Sequence, residues 1–150
     1  MRTLAIDPGT RRIGLAVSDD AGKLATPLEV LDVTSAADIG ARIARVVQNE
    51  DIGRLVVGLP LNMDGTVGPS ARDAVALGRE LSRVCGVPAI FVDERLSSFQ
   101  AEQTIRARRR AGEKITRRGK KSRLDAVAAA AFLQEFLDGK LAPVDPDSLD

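Results

Sequence analysis

The chain has 150 residues, 44% of them hydrophobic and 29% charged, with a formal net charge of +1, a composition that suits one globular domain with a buried core. Zero histidines and a single cysteine, Cys85, exclude Ser-His-Asp and Cys-His nucleophiles, an imidazole general base, zinc held by histidine or paired cysteines, and an internal disulfide. No apolar run reaches the ~20 residues that span a bilayer, and Met1-Arg2-Thr3 passes directly into strand-like sequence, so no membrane partner and a cytoplasmic location are expected.

In chain order, Thr3 to Ile6 and Ile13 to Ser18 are short apolar runs joined by Pro8-Gly9-Thr10-Arg11-Arg12, which predicts two antiparallel strands around a loop longer than two residues. Asp19-Asp20-Ala21-Gly22 is a second turn, leading to a third strand from Thr26 to Leu31. Ser35-Ala36-Ala37-Asp38 resembles a capping box, and Ile39, Ile43, Val46 and Val47 follow at helical spacing to a break near Asn49. Leu55-Val56-Val57-Gly58-Leu59 is the continuous apolar run of a parallel strand covered on both faces. A loop from Pro60 to Pro69 precedes a helix over Ser70 to Val84, with Ala71, Ala74, Val75, Leu81 and Val84 inward. Ala89-Ile90-Phe91-Val92 is a fifth strand, ending in Asp93-Glu94.

Ser97, with Gln100 at the reciprocal position, caps a further helix that carries Ile105 into a run of arginines. Gly112 and Gly119 bracket a basic connection expected to be mobile, and Ser122-Arg123-Leu124-Asp125 opens the last helix, Ala126 to Leu137, which Gly139 stops. Residues 140–150, rich in proline and aspartate, are expected to form a disordered acidic tail, leaving residues 1–139 as the domain. A meander followed by strands alternating with helices gives an α/β fold. Its five-stranded mixed sheet is antiparallel through strands 1–3 and parallel through strands 1, 4 and 5, with helices on both faces.

Charge is unevenly placed. Arg106, Arg108, Arg109, Arg110, Lys114, Arg117, Arg118, Lys120, Lys121 and Arg123 are ten of the 22 basic residues, with Glu113 the one acid among them. The remainder of the chain is net negative, and so segregated a charge suggests a polyanionic partner as the alternative to a solvated charged face.

Asp7 ends the first strand, Glu94 follows the fifth, and Asp125 stands in the first turn predicted for the last helix. With strands 1, 4 and 5 parallel and adjacent, the first two share the sheet edge where sites form. Acids converging there repel one another unless a cation sits between them, and oxygen-only ligands suit Mg²⁺ or Mn²⁺. Gly9 and Gly14 would let backbone and phosphate approach closely. Each acid also has a local alternative: Asp7 as a turn former, Asp125 as a capping-box partner, and Asp93-Glu94 as solvated acids at a strand end. The loop from Asn62 to Thr66 follows the fourth strand at the same edge, so Asn62 either helps to place substrate or simply builds a turn.

Four blocks, "DPGTRRIGLAVSD", "VVGLPLNMDGT", "VDERLSS" and "KSRLDAVAAAAFLQEFLDG", occur in this order and resemble those of the YqgF/RuvX family of RNase H-like proteins, from Thr3 to Gly139. The resemblance implies an RNase H-like fold and a metal-dependent nuclease; the family is described as Holliday-junction resolvases and as nucleases that mature the 5′ end of pre-16S rRNA. The family's acids fall on Asp7, Glu94 and Asp125, with Asp93 as a supporting acid beyond them. The basic segment would then draw a polyanion towards carboxylates that repel it. Nucleic acid is the expected partner, an RNA precursor ahead of DNA, together with ribosomal particles. The Arg108-Arg109-Arg110 cluster is denser than the family pattern and leaves substrate preference open. With no Trp or Tyr and four Phe, recognition is expected to rest on backbone and shape. The alternatives are a Holliday-junction or single-stranded DNA nuclease of repair and recombination and, in another class, a non-catalytic nucleic-acid or nucleotide-binding module.

Overall fold

A computed structural model describes residues 1–9, 11–33, 36–62, 64–94 and 117–148, with side chains for all of these except 36, 37 and 117–125. The strands are β1 (Arg2–Pro8), β2 (Arg12–Ser18), β3 (Ala25–Asp32), β4 (Ile52–Leu59) and β5 (Ala89–Asp93), and the helices are α1 (Ala36–Asn49), α2 (Pro69–Cys85) and α3 (Arg117–Leu137). They form one sheet in the order β3-β2-β1-β4-β5. β2 pairs antiparallel with β1 and β3, whereas β4 runs parallel to β1 and β5, as the run of elements predicts.

Both faces of the sheet are covered, which is why its central strands read as unbroken apolar runs. Leu4, Ile6, Ile13, Leu15, Leu55, Val57, Leu59 and Phe91 pack on one face with Ile39, Ile43 and Val47 of α1 and Ala74 and Leu81 of α2. Ala5, Ala16, Val56 and Val92 occupy the other face, against Ala129, Phe132 and Leu133 of α3. The small side chains of Ala5 and Ala16 let that helix lie close to the strands. Gln134 sets its direction: its Oε1 accepts the Ala25 N–H at 2.9 Å and its Nε2 donates to the Lys23 carbonyl at 2.8 Å. The Phe136 ring lies 5.0 Å below the Arg54 guanidinium, near the start of β4. The C-terminal half of α3 is therefore tied to the edge where β1 and β4 begin, and its N-terminal half rises towards the edge where they end. A left-handed Gly139 at φ +76° closes the helix, with its N–H bonded to Phe136 O and that of Lys140 to Glu135 O.

Two expectations need correction. α3 starts at Arg117, so Gly119 lies in its first turn and Asp125 is nine residues in; Arg and Lys are good helix formers and carry the helix back through the basic run. The capping-box alternative for Asp125 is thereby removed. Val84, expected inward, is 49% exposed, while Gly78 is among the buried residues on the inner face of α2. The acidic tail is placed against the sheet through residue 148: the Val144 N–H donates to Phe91 O at 2.8 Å, and Asp147 pairs with Arg79 of α2 at 2.7 Å. The expected Ser97 cap, the helix through Ile105, and Gly112 lie outside the described residues, as does the Ser35 cap of α1.

Candidate active site

β1 brings Asp7 to the top of the sheet, opposite Gly14 of β2. Side chains alternate along a strand, so Asp7 shares the α3 face with Ala5, and Gly14 shares it with Ala16. The β1–β4 pairing runs to Ile6 opposite Val57, which sets Asp7 level with Gly58 one strand spacing away. Gly58 in turn pairs with Val92, two residues before Glu94.

Gly58 is the hinge of this geometry. A methyl group on it would lie 2.6 Å from Glu94 Oε2, 3.2 Å from Glu94 Cβ and 3.1 Å from the Phe132 ring. The Glu94 side chain thus lies over β4, towards Asp7, in space that only glycine leaves open, and its Oε2 is buried. Phe132 packs beneath it, and helical side chains lean towards the N-terminus of their helix. Asp125 stands one turn before Ala129 and two before Phe132 along α3, in the half of the helix that rises to this edge. The strands place Asp7 and Glu94 on one face and edge of the sheet, and α3 carries the backbone of Asp125 to the same side. Among the described residues no cluster of three metal-ligating side chains occurs, the side chain of Asp125 lying outside them.

The remaining candidates divide. Asp93 pairs with Leu59 and shares with Phe91 the face turned to α2, so the pleat separates it from Asp7. Asn62 is tied into its own loop: its Nδ2 donates to Thr66 Oγ1 at 3.0 Å, its N–H to Thr66 O at 2.9 Å, and its carbonyl accepts from Gly65, which holds φ +85°. Asp64 Oδ1 accepts both the N–H and the hydroxyl of Thr66, closing the turn. Gly9 is required locally, because a methyl group there would sit 2.5 Å from the Arg12 carbonyl oxygen. Arg106, Arg108, Arg109, Arg110 and Lys114 lie outside the described residues, as do the side chains of Arg117, Arg118, Lys120, Lys121 and Arg123. A cleft of about 300 Å³ lined by Pro8, Gly9, Pro60, Ser70, Asp73, Ala74 and Leu77 opens at the same edge on the α2 side and does not include the two acids. Gly58 was the residue missed, although an isolated glycine within an apolar strand is a sign of close approach.

Asp7 and Glu94, on one face beside a glycine that carries no side chain, offer oxygen donors alone. The profile of the RuvX family, described as Holliday junction resolvase, matches residues 1–139. A protein of Anaeromyxobacter sp. (strain Fw109-5) named "Putative pre-16S rRNA nuclease" is 47% identical over 143 residues, covering 95% of this chain and all of the relative. One of Thermosynechococcus vestitus with the same name is 36% identical, over 91% of this chain and 87% of the relative. Among solved structures, Thermus thermophilus RuvC in complex with a Holliday junction superposes with a TM-score of 0.61 at 21% identity, covering 96% of this chain and all of RuvC, a likeness of fold.

Proposed function

The chain belongs to the RuvX family, and on that premise we propose that it is a hydrolase cutting phosphodiester bonds in nucleic acid, with the 5′ region of precursor 16S ribosomal RNA as its substrate. The observation that carries this reading is the Glu94 side chain lying over Gly58, on the face and edge that Asp7 also occupies, in a chain that relatives of that name match along nearly its whole length. The donor set fits a hard divalent ion: carboxylate oxygens alone, with Gly58 keeping clear the space the Glu94 carboxylate occupies. Asp7, Glu94 and Asp125 would hold Mg²⁺ or Mn²⁺, and such an ion supplies Lewis-acid polarisation of the phosphodiester and lowers the pKa of a water nucleophile. The basic segment around Arg108 to Arg123 would offset the repulsion between a nucleic-acid backbone and the acids. Action on ribosomal precursors in the cytoplasm follows from this substrate.

Junction resolution is a second reading, favoured by the description attached to the matching family profile. It needs two active sites related by a two-fold axis, so it requires a dimer. Purified protein and an Asp7→Asn control, incubated with labelled precursor RNA, single-stranded DNA and four-way junctions in Mn²⁺, separate these readings. Cleavage of the RNA by the wild type alone is the expected result, and equal RNA cleavage by both proteins would refute the site. Symmetrical junction cutting by a dimeric protein would transfer the assignment to the second reading.

A further inference from the structure

Arg12 lies outside the basic run, yet β2 delivers it to the acids. Ala16 and Gly14 share the α3 face with Asp7, and Arg12, two residues before Gly14, shares it too. Asp7 pairs with Gly14, which makes Arg12 its diagonal neighbour; such positions lie ~7–8 Å apart on one face, within reach of a long side chain. Gly14, the residue between them on that face, has no side chain to intervene. The position is fixed by its backbone, since the close fit of Gly9 against the Arg12 carbonyl sets the loop, and Arg12 itself is half-buried. Its cross-strand partner on β3 is Asp32, which is exposed.

We propose that Arg12 is a substrate-positioning residue that binds a backbone phosphate of the nucleic acid beside Asp7 and Glu94. The proposal rests on the site reading above and adds the group that receives the anion. Any phosphate brought to the acids meets negative potential, and a guanidinium at the rim of the same face both offsets that potential and fixes the phosphate by two parallel hydrogen bonds. Lysine supplies the charge without the fork, so it should rescue only in part.

The test measures KM and kcat in Mn²⁺ on a labelled precursor-RNA fragment for the wild type, Arg12→Ala, Arg12→Lys, Asp32→Asn and Asp7→Asn. Direct binding in EDTA across a KCl series and a melting curve accompany each variant. Arg12→Ala should raise KM about tenfold or more with little change in kcat, as loss of a charge-assisted contact does. It should also lower the slope of log affinity against log salt by ~0.7–0.9, one phosphate contact, with Arg12→Lys intermediate. Asp32→Asn should leave KM unchanged. An unaltered KM and salt slope in Arg12→Ala, or Asp32→Asn reproducing its full effect, would overturn the proposal by reducing Arg12 to an ion-pair partner. Cleavage that survives in Asp7→Asn would remove the site reading itself, whatever Arg12 does to binding.

Discussion

Gly58 and Gly78 pose the same steric problem with different chemical consequences. A methyl group on Gly78 would lie 2.6 Å from the Phe91 ring, inside the core between α2 and the sheet. On Gly58 it would strike Glu94 and Phe132 instead. Each Gly→Ala change should therefore cost roughly 1–3 kcal/mol of stability, as overpacking does. With the proposed ion bound at Asp7 and Glu94, Mn²⁺ should raise the melting temperature and only Gly58→Ala should also shrink that rise, because a ligand stabilises the folded protein according to its occupancy. Equal Mn²⁺ shifts in the two variants would show that Glu94 does not contribute to the ion's site. A second residue-scale effect concerns pH. Asp19 Oδ1 accepts the N–H groups of Lys23 at 2.7 Å and Leu24 at 3.1 Å, and these bonds hold its carboxyl below its ordinary value. A depressed folded-state pKa gives stability that is complete above the unfolded value and lost as pH falls through the folded one. The melting deficit of Asp19→Ala should then be full at pH 7 and close as pH drops below 3.8, which thermal melts across that range would check.

At the scale of elements, β5 is both the carrier of Glu94 and an edge strand, and the C-terminal segment covers its edge. The Val144 N–H to Phe91 O bond is the backbone part of that cover, and the Arg79–Asp147 pair is its charged part. The side chains of Arg79 and Asp147 are 54% and 76% exposed, so water screens their attraction and their contribution is small. Val144→Pro, which removes the donor, should lower the melting temperature clearly more than Asp147→Ala. The reverse order would place the tail's hold on α2 rather than on the strand.

For the whole molecule, the dominant long-range feature is the separation of a basic window from an otherwise acidic chain. Binding that depends on released counterions weakens linearly in log salt, by ~0.9 per duplex phosphate contact. Replacing Arg108, Arg109 and Arg110 together by Ala should weaken binding to every nucleic acid tried and flatten that slope, while cleavage at saturating substrate persists. An unchanged slope would assign the run to solvated surface.

The amino-acid pattern by itself determined the element order, because period-two and 3.6-residue alternation encode local backbone geometry and the face to be buried. It also put Asp7 and Glu94 at one edge of the sheet, since parallel strands share their C-terminal edge. The sequence set Asp93 beside Glu94 as a supporting acid, whereas the pleat of β5 between α2 and α3 turns the two to opposite faces. The start of α3 escaped because Gly119 reads as a break, although strong helix formers surround it. The seating of the tail and the space above Gly58 were decided by contacts between residues far apart in the chain: Val144 with Phe91, and Glu94 and Phe132 with Gly58. Local periodicity carries no record of such contacts, which exist only once the sheet has assembled.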